Sequence, residues 1–283
     1  MRQYYMSDFD FLQVPGGKWI IKALKRAGRP NQANGDEPAC PFEGEVEDEI
    51  SRLNEVVVKK NKYPFAPIHE IIIHSKNHHK NFDELELSKV VDIFKVFKAR
   101  YLEHKHKGQV YIFHNQGKNA GESLPHPHTQ LAVIPNEIRL DIPPLKLESE
   151  EVKELSYFYI FCPDTSEWPD EIWVAPNREG RSFDETSDAE IKDLAFIVSR
   201  LVQIFDLRHG HEFPFNFYIY PGKGWYLRLI PRLKVLGGFE IGTGVFVTTQ
   251  DPAQTFAFIK EHFDNPDFEK IKSQHTADYG KSV

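Results

Sequence analysis

The feature that most constrains this chain is an internal echo. Pro67-Ile68-His69-Glu70-Ile71-Ile72-Ile73 returns as Pro169-Asp170-Glu171-Ile172-Trp173-Val174, each reading as a short apolar strand after a proline. Phe82-Asp83-Glu84 returns as Phe183-Asp184-Glu185, an offset of 101 residues. A segment with helical periodicity follows each tripeptide. In the first, Leu85, Val90, Val91, Phe94, Phe97, Tyr101 and Leu102 mark one apolar face; in the second, Ile191, Leu194, Ala195, Val198, Leu201, Val202 and Phe205 do so more cleanly, behind a Thr186-Ser187-Asp188 cap. Each helix leads to an aromatic strand, Val110–Phe113 or Phe215–Ile219, and then to a strand closed by proline, Gln130–Pro135 or Tyr226–Pro231. Two strand–helix–strand–strand units with short connections predict an α+β fold, mainly antiparallel sheets with flanking helices, because short turns join antiparallel neighbours. The expected division is residues 1–145 and 146–283, with the charged, proline-rich stretch 136–154 as connector.

Composition narrows the setting. No apolar run approaches the roughly 18–20 residues of a membrane span, and the amino terminus lacks the apolar core of a signal peptide, so a cytoplasmic protein off the membrane is expected. Cys40 and Cys162 cannot make a disulfide framework; Cys162, within an aromatic run, is expected to be buried. The net charge of −7 argues against nucleic-acid binding, which needs a basic surface.

The densest chemistry runs from His114 to Gln130. In an extended strand, residues two apart share a face, so His126, His128 and Gln130 are expected to project together, with Pro127 holding His126 extended. Ahead of them Asn115, Gly117, Gly121 and Ser123 form a donor-rich loop able to approach phosphate oxygens through backbone N–H groups. Two imidazoles beside such a loop suggest phosphoryl chemistry. When Pro135 is set on Pro231, His128 faces Gly224 and His126 faces Gly222, so the second unit lacks that chemistry.

His-Pro-His-x-Gln preceded by Asn-x-Gly-x-x-x-Gly-x-Ser resembles the active-site motif of the galactose-1-phosphate uridylyltransferases, the transferase branch of the histidine-triad superfamily. The resemblance implies tandem histidine-triad-like units, the first catalytic and the second degenerate. It makes His128 the nucleophile that attacks the α-phosphate of a nucleotide sugar, and Gln130 and Ser123 its partners on the transferred phosphate. Trp19-Ile20-Ile21 with Lys25-Arg26-Ala27-Gly28-Arg29-Pro30 resembles an early family element, which makes Arg26 and Arg29 phosphate clamps. Asn61 falls near the nucleotide. Pro231-Arg232-Leu233, followed by Gly238-Phe239-Glu240, resembles the segment that reaches the sugar phosphate, so Phe239 and Glu240 join Asn115 and Gly121 as binding residues, in a homodimer.

The same resemblance implies one zinc site built from Cys40, Glu43, His78 and His126, with Glu43 where the family has a second cysteine. His74 and His79 read as surface residues, His79 as a substitute ligand. Gly224-Trp225-Tyr226-Leu227-Arg228 carries no His-x-His, so a second metal site is not expected; His209-Gly210-His211 reads as a loop between helix and strand. The expected activity is ping-pong nucleotidyl transfer between a nucleotide sugar and a sugar phosphate. An amide at Gln130 favours a held intermediate over hydrolysis. The alternatives are a nucleotide-sugar or dinucleoside-polyphosphate phosphorylase, a hydrolase, or a nucleotide-binding protein without turnover.

Overall fold

The computed structural model describes residues 3–6, 9–29, 40–42, 47–145, 152–271 and 273. Three amino-terminal strands, β1 (Gln3–Met6), β2 (Phe9–Gln13) and β3 (Trp19–Lys22), form a small antiparallel sheet. The first unit then runs β4 (Glu49–Leu53), β5 (Val56–Lys60), β6 (Ile68–Ile73), α1 (Leu87–His104), β7 (Gln109–Gln116) and β8 (His128–Ile134). The second runs β9 (Val152–Glu154), β10 (Phe158–Phe161), β11 (Ile172–Pro176), α2 (Asp188–His209), β12 (Phe215–Ile219) and β13 (Leu227–Pro231); α3 (Gly238–Thr243) and α4 (Pro252–His262) follow. No helix of the described residues is long and apolar enough to cross a membrane.

The strand order β4-β5-β6-β8-β7-β12-β13-β11-β10-β9 is one ten-stranded sheet whose two halves mirror each other in sequence order. Every pairing in it is antiparallel, and the halves meet where β7 pairs with β12, setting Asn115 opposite Asn216 and Phe113 opposite Tyr218. The expected α+β, mainly antiparallel architecture is therefore present, with both units sharing a single sheet.

Alternation along the strands decides what each face carries. On one face Val58, Ile72, Ile112, Leu131, Phe217 and Leu229 are buried beneath α1 and α2. Each such side chain removed from water contributes about 1.5–3 kcal/mol, and this layer anchors the sheet. All seven residues expected on the apolar face of α2 are buried, and Ser187 caps it by accepting from the Glu190 N–H at 3.3 Å. In α1, Leu102, expected on the apolar face, is instead 50% exposed, while its neighbour Tyr101 is buried. Cys162 is buried as its aromatic neighbours predict.

The register corrects the comparison of the two units. Ile71 pairs with Gln130, and Trp173, its counterpart in the strand echo, pairs with Arg228. On that register Tyr226 takes the place of His128, two residues from the Gly224 that the prolines indicate. The proline anchor misleads because Pro135 follows β8 whereas Pro231 is the last residue of β13.

Candidate active site

β8 places His128 at its start, with Gln130 one step along on the same face and opposite Ile71 of β6. That face opens on a cavity of about 180 Å³, lined by Arg29, Phe42, Lys59, Asn61, Lys62, Tyr63, Leu124, His128 and Gln130 among others. Arginine and lysine beside an apolar wall suit a ligand with a phosphate at one end and a ring at the other.

His128 is held as a neutral imidazole. Its Nδ1 lies 2.8 Å from the carbonyl oxygen of His126, and a carbonyl only accepts, so Nδ1 carries the proton and Nε2 the lone pair. Burial, followed by the charges of Arg29 and His126, pushes its pKa down to about 4, against a partial lift from the carbonyl. Beneath the strand, His114 Nδ1 donates to the His128 carbonyl at 3.0 Å, and His74 bonds Thr129 Oγ1 at 2.8 Å. His74 is thus fully buried, not a surface residue, because β6 directs it under the sheet, where its ring lies 5.4 Å from that of His114.

His126 does not project with His128 and Gln130. It precedes β8, and its Nε2 donates to the Ser75 carbonyl at 2.9 Å, leaving Nδ1 aimed at Cys40 Sγ 3.6 Å away. Cys40, His78 and His126 each offer a ligand atom, all within 4.8 Å of one another. Tetrahedral zinc with ordinary bond lengths separates sulfur from nitrogen by about 3.6 Å, so the donor set and the fixed His126 tautomer fit that ion. Glu43 lies outside the described residues. His79 is exposed. The ring of Phe42 meets His126 and His128 edge-on at 5.8 and 5.3 Å, separating this cluster from the cavity.

The other expected residues sort by position. Arg29 lines the cavity and donates from Nη2 to Ser123 Oγ, tying the amino-terminal element to the glycine loop. Arg26 stands behind it, donating to the Tyr63 carbonyl at 2.7 Å with its guanidinium 5.1 Å from the centre of the Phe65 ring. Asn61 lines the cavity and accepts from the Tyr63 N–H at 2.8 Å. In the loop, Gly117 and Gly121 have φ of +80° and +82°, and a Cβ on Gly117 would meet Pro214 at 2.9 Å. Asn115 accepts from Asn216, which also donates to the Ala120 carbonyl, and Arg232 donates to Asn216. Phe239 and Glu240 sit on α3 and are not among the residues lining the cavity; Phe239 is exposed, and Glu240 binds Lys234 at 2.6 Å and caps its own helix.

Two features lie outside the sequence argument. His69, read only as part of an apolar strand, bonds Gln130 from below. His209 and His211 are more than a loop: His209 ends α2 with Nε2 2.9 Å from Asp170 Oδ2, and His211 lies 3.7 and 3.9 Å from Asp206 and Asp83. The contacts of His69 with Gln130, His209 with Asp170 and His211 with Asp83 could not be found from local spacing, since those partners are distant in the chain.

Residues 58–133 match the family model described as galactose-1-phosphate uridyl transferase, N-terminal domain. An ADP-glucose phosphorylase of Arabidopsis thaliana is 24% identical over 86% of this chain and 90% of its own length. A galactose-1-phosphate uridylyltransferase of Thermotoga maritima is 22% identical over 86% of this chain and 95% of its own. The structure of a uridylyltransferase superposes with a TM-score of 0.73 at 19% identity, covering 90% of this chain and 98% of that one. The chain is thus similar in sequence to the galactose-1-phosphate uridylyltransferases across residues 58–133, and in fold to a uridylyltransferase over most of its length.

Proposed function

We propose that this relative of the uridylyltransferases is a nucleotidyltransferase that takes a nucleoside monophosphate from a nucleotide sugar onto His128 and passes it to a second phosphate. The observation that carries this is the His128 tautomer: Nδ1–H is engaged by the His126 carbonyl, so the lone pair is on Nε2 in a cavity shared with Arg29, Lys62 and Gln130. Nε2 attacks the α-phosphorus, the N–P bond forms, and the bridging P–O bond breaks to release a sugar phosphate. The imidazole keeps its Nδ1 proton, and the charge that develops on the ring strengthens its bond to the carbonyl. Arg29, Ser123 and Gln130 stabilise the transferred phosphate. Attack by the acceptor's phosphate oxygen then restores neutral His128.

In this reading residues 1–145 are the catalytic unit and residues 146–283 its degenerate partner. Cys40, His78 and His126 would hold one zinc, which would tie the 40–42 segment to the approach to β8. A homodimer is supported by the exposed apolar side chains of Leu233, Val235, Phe239, Ile241, Val245 and Val247. A second reading makes inorganic phosphate the acceptor, as the name of the Arabidopsis relative suggests.

The test is incubation with α-labelled ADP- and UDP-sugars. Acid-labile, base-stable label on the wild type, absent from His128→Ala, is expected, and release of the label by sugar phosphate or by inorganic phosphate separates the two readings. Turnover that persists in His128→Ala would end both.

A further inference from the structure

Gln130 can turn either end of its amide toward a phosphate, and the ends act oppositely: the NH2 donates to a phosphate oxygen, while the carbonyl repels it. What selects the end lies beneath the cavity. The main-chain N–H of Phe65, which cannot reorient, points at His69 Nδ1 from 3.2 Å, so Nδ1 holds the lone pair. His69 is 5% exposed, and burial pushes its pKa down to about 3, so the ring is neutral and its single proton is on Nε2. Two side-chain atoms lie 3.1 Å from Nε2: Gln130 Oε1 and Asn61 Nδ2. Asn61 has its oxygen turned to the Tyr63 N–H, so it presents only a donor, and Gln130 Oε1 is the acceptor of the pair.

Resting on the reading of His128 as nucleophile, we propose that His69 is a positioning residue: its Nε2–H holds the carbonyl end of Gln130 and thereby presents the Gln130 NH2 to the phosphate being transferred. His69 is not among the residues lining the cavity and acts only through Gln130. Its ring is wedged 4.2 Å from the centre of Phe65 and 6.4 Å from that of Phe113, which keeps it from turning over. The same geometry gives Arg26 a task, since its contacts with the Tyr63 carbonyl and the Phe65 ring hold the loop that fixes the tautomer.

Two measurements test this. Nitrogen-15 NMR of histidine-labelled protein, with His69 assigned by its loss in His69→Phe, should show the Nε2–H tautomer without titration between about pH 5.5 and 8. An Nδ1–H tautomer, or protonation in that range, overturns the proposal. The second is a double-mutant cycle on the rate of His128 labelling at saturating donor. His69→Phe and Gln130→Ala should each slow labelling about tenfold with donor affinity changed less than about threefold, and the double variant should be no slower than Gln130→Ala. His69→Gln, whose amide can donate to Gln130, should recover part of the loss and carries the test if His69→Phe does not fold. Additive losses, or an effect confined to donor affinity, overturn it. If the wild type takes label from no donor, the nucleophile reading fails, while the tautomer measurement, which needs no turnover, still decides the His69–Gln130 arrangement.

Discussion

Asn216 donates from Nδ2 to Oδ1 of Asn115 at 2.8 Å across the β7–β12 seam. The half of the sheet that carries β12 thereby holds the glycine loop of the half that carries His128, since the same amide also reaches the Ala120 carbonyl at 2.8 Å. This gives the second unit a reason to persist.

Asn216→Ala should therefore slow nucleotidyl transfer about fivefold or more, the worth of roughly one net hydrogen bond at the loop, with a small change in melting temperature. Single-turnover labelling of His128 beside a thermal melt checks this. A variant that melts early with an unchanged rate would limit the seam to a structural role.

Removing the metal ligand should act on stability before chemistry. Cys40→Ser should lower bound zinc to well below one per chain and reduce the melting temperature, and chelation of the wild type should do the same. Metal analysis with calorimetry reads both. A wild type purified in zinc-replete medium with no bound metal, melting unchanged in chelator, would remove the assignment.

The buried histidines should make the protein acid-sensitive. His69 and His114 have pKa values pushed down to about 3, and that of His74 is also lowered, in each case first by burial. Unfolded, each takes a proton near pH 6.5, so below that value the unfolded chain binds more protons and stability falls as pH drops toward about 3. Each contributes a slope of about 1.4 kcal/mol per pH unit in that window. Denaturant titrations from pH 7 to 4.5 should show it, and replacing His114 with Phe should flatten the slope by one such increment.

Glu122 should work the other way. It is half-buried, accepts from the Gly117 N–H at 2.8 Å, and has a pKa raised to about 7 by burial and then by Glu212. The unfolded carboxyl ionises near 4.5, so folding loses stability as pH rises from there to about 7. Glu122→Gln keeps the acceptor for Gly117 without the charge and should stabilise the protein at pH 8 by on the order of 1–2 kcal/mol, with no gain at pH 4.5. Equal effects at both pH values would show that the carboxyl does not titrate as described.

Ser187→Ala should cost about 1 kcal/mol of stability through loss of the α2 cap and leave transfer rates unchanged, measured by urea unfolding and by labelling.

Periodicity and local chemistry were enough for much of this protein. The repeat of strand, helix and two strands, the apolar face of α2 with Ser187 at its start, and the shared face of His128 and Gln130 are all short-range properties of the chain, and short-range patterns survive in sequence. What separates His126 from His128 is tertiary: β8 begins only at His128, and the ring of Phe42 stands between them. Folding also buried His74 under the sheet, turned Arg26 to the Tyr63 carbonyl, and left Phe239 and Glu240 of α3 out of the cavity lining. The tautomers of His69, His126 and His128 belong to the same class. Each is decided by which fixed donor or acceptor the fold sets against one ring nitrogen, and for His69 and His126 that group lies on a loop that spacing along the chain does not bring to mind.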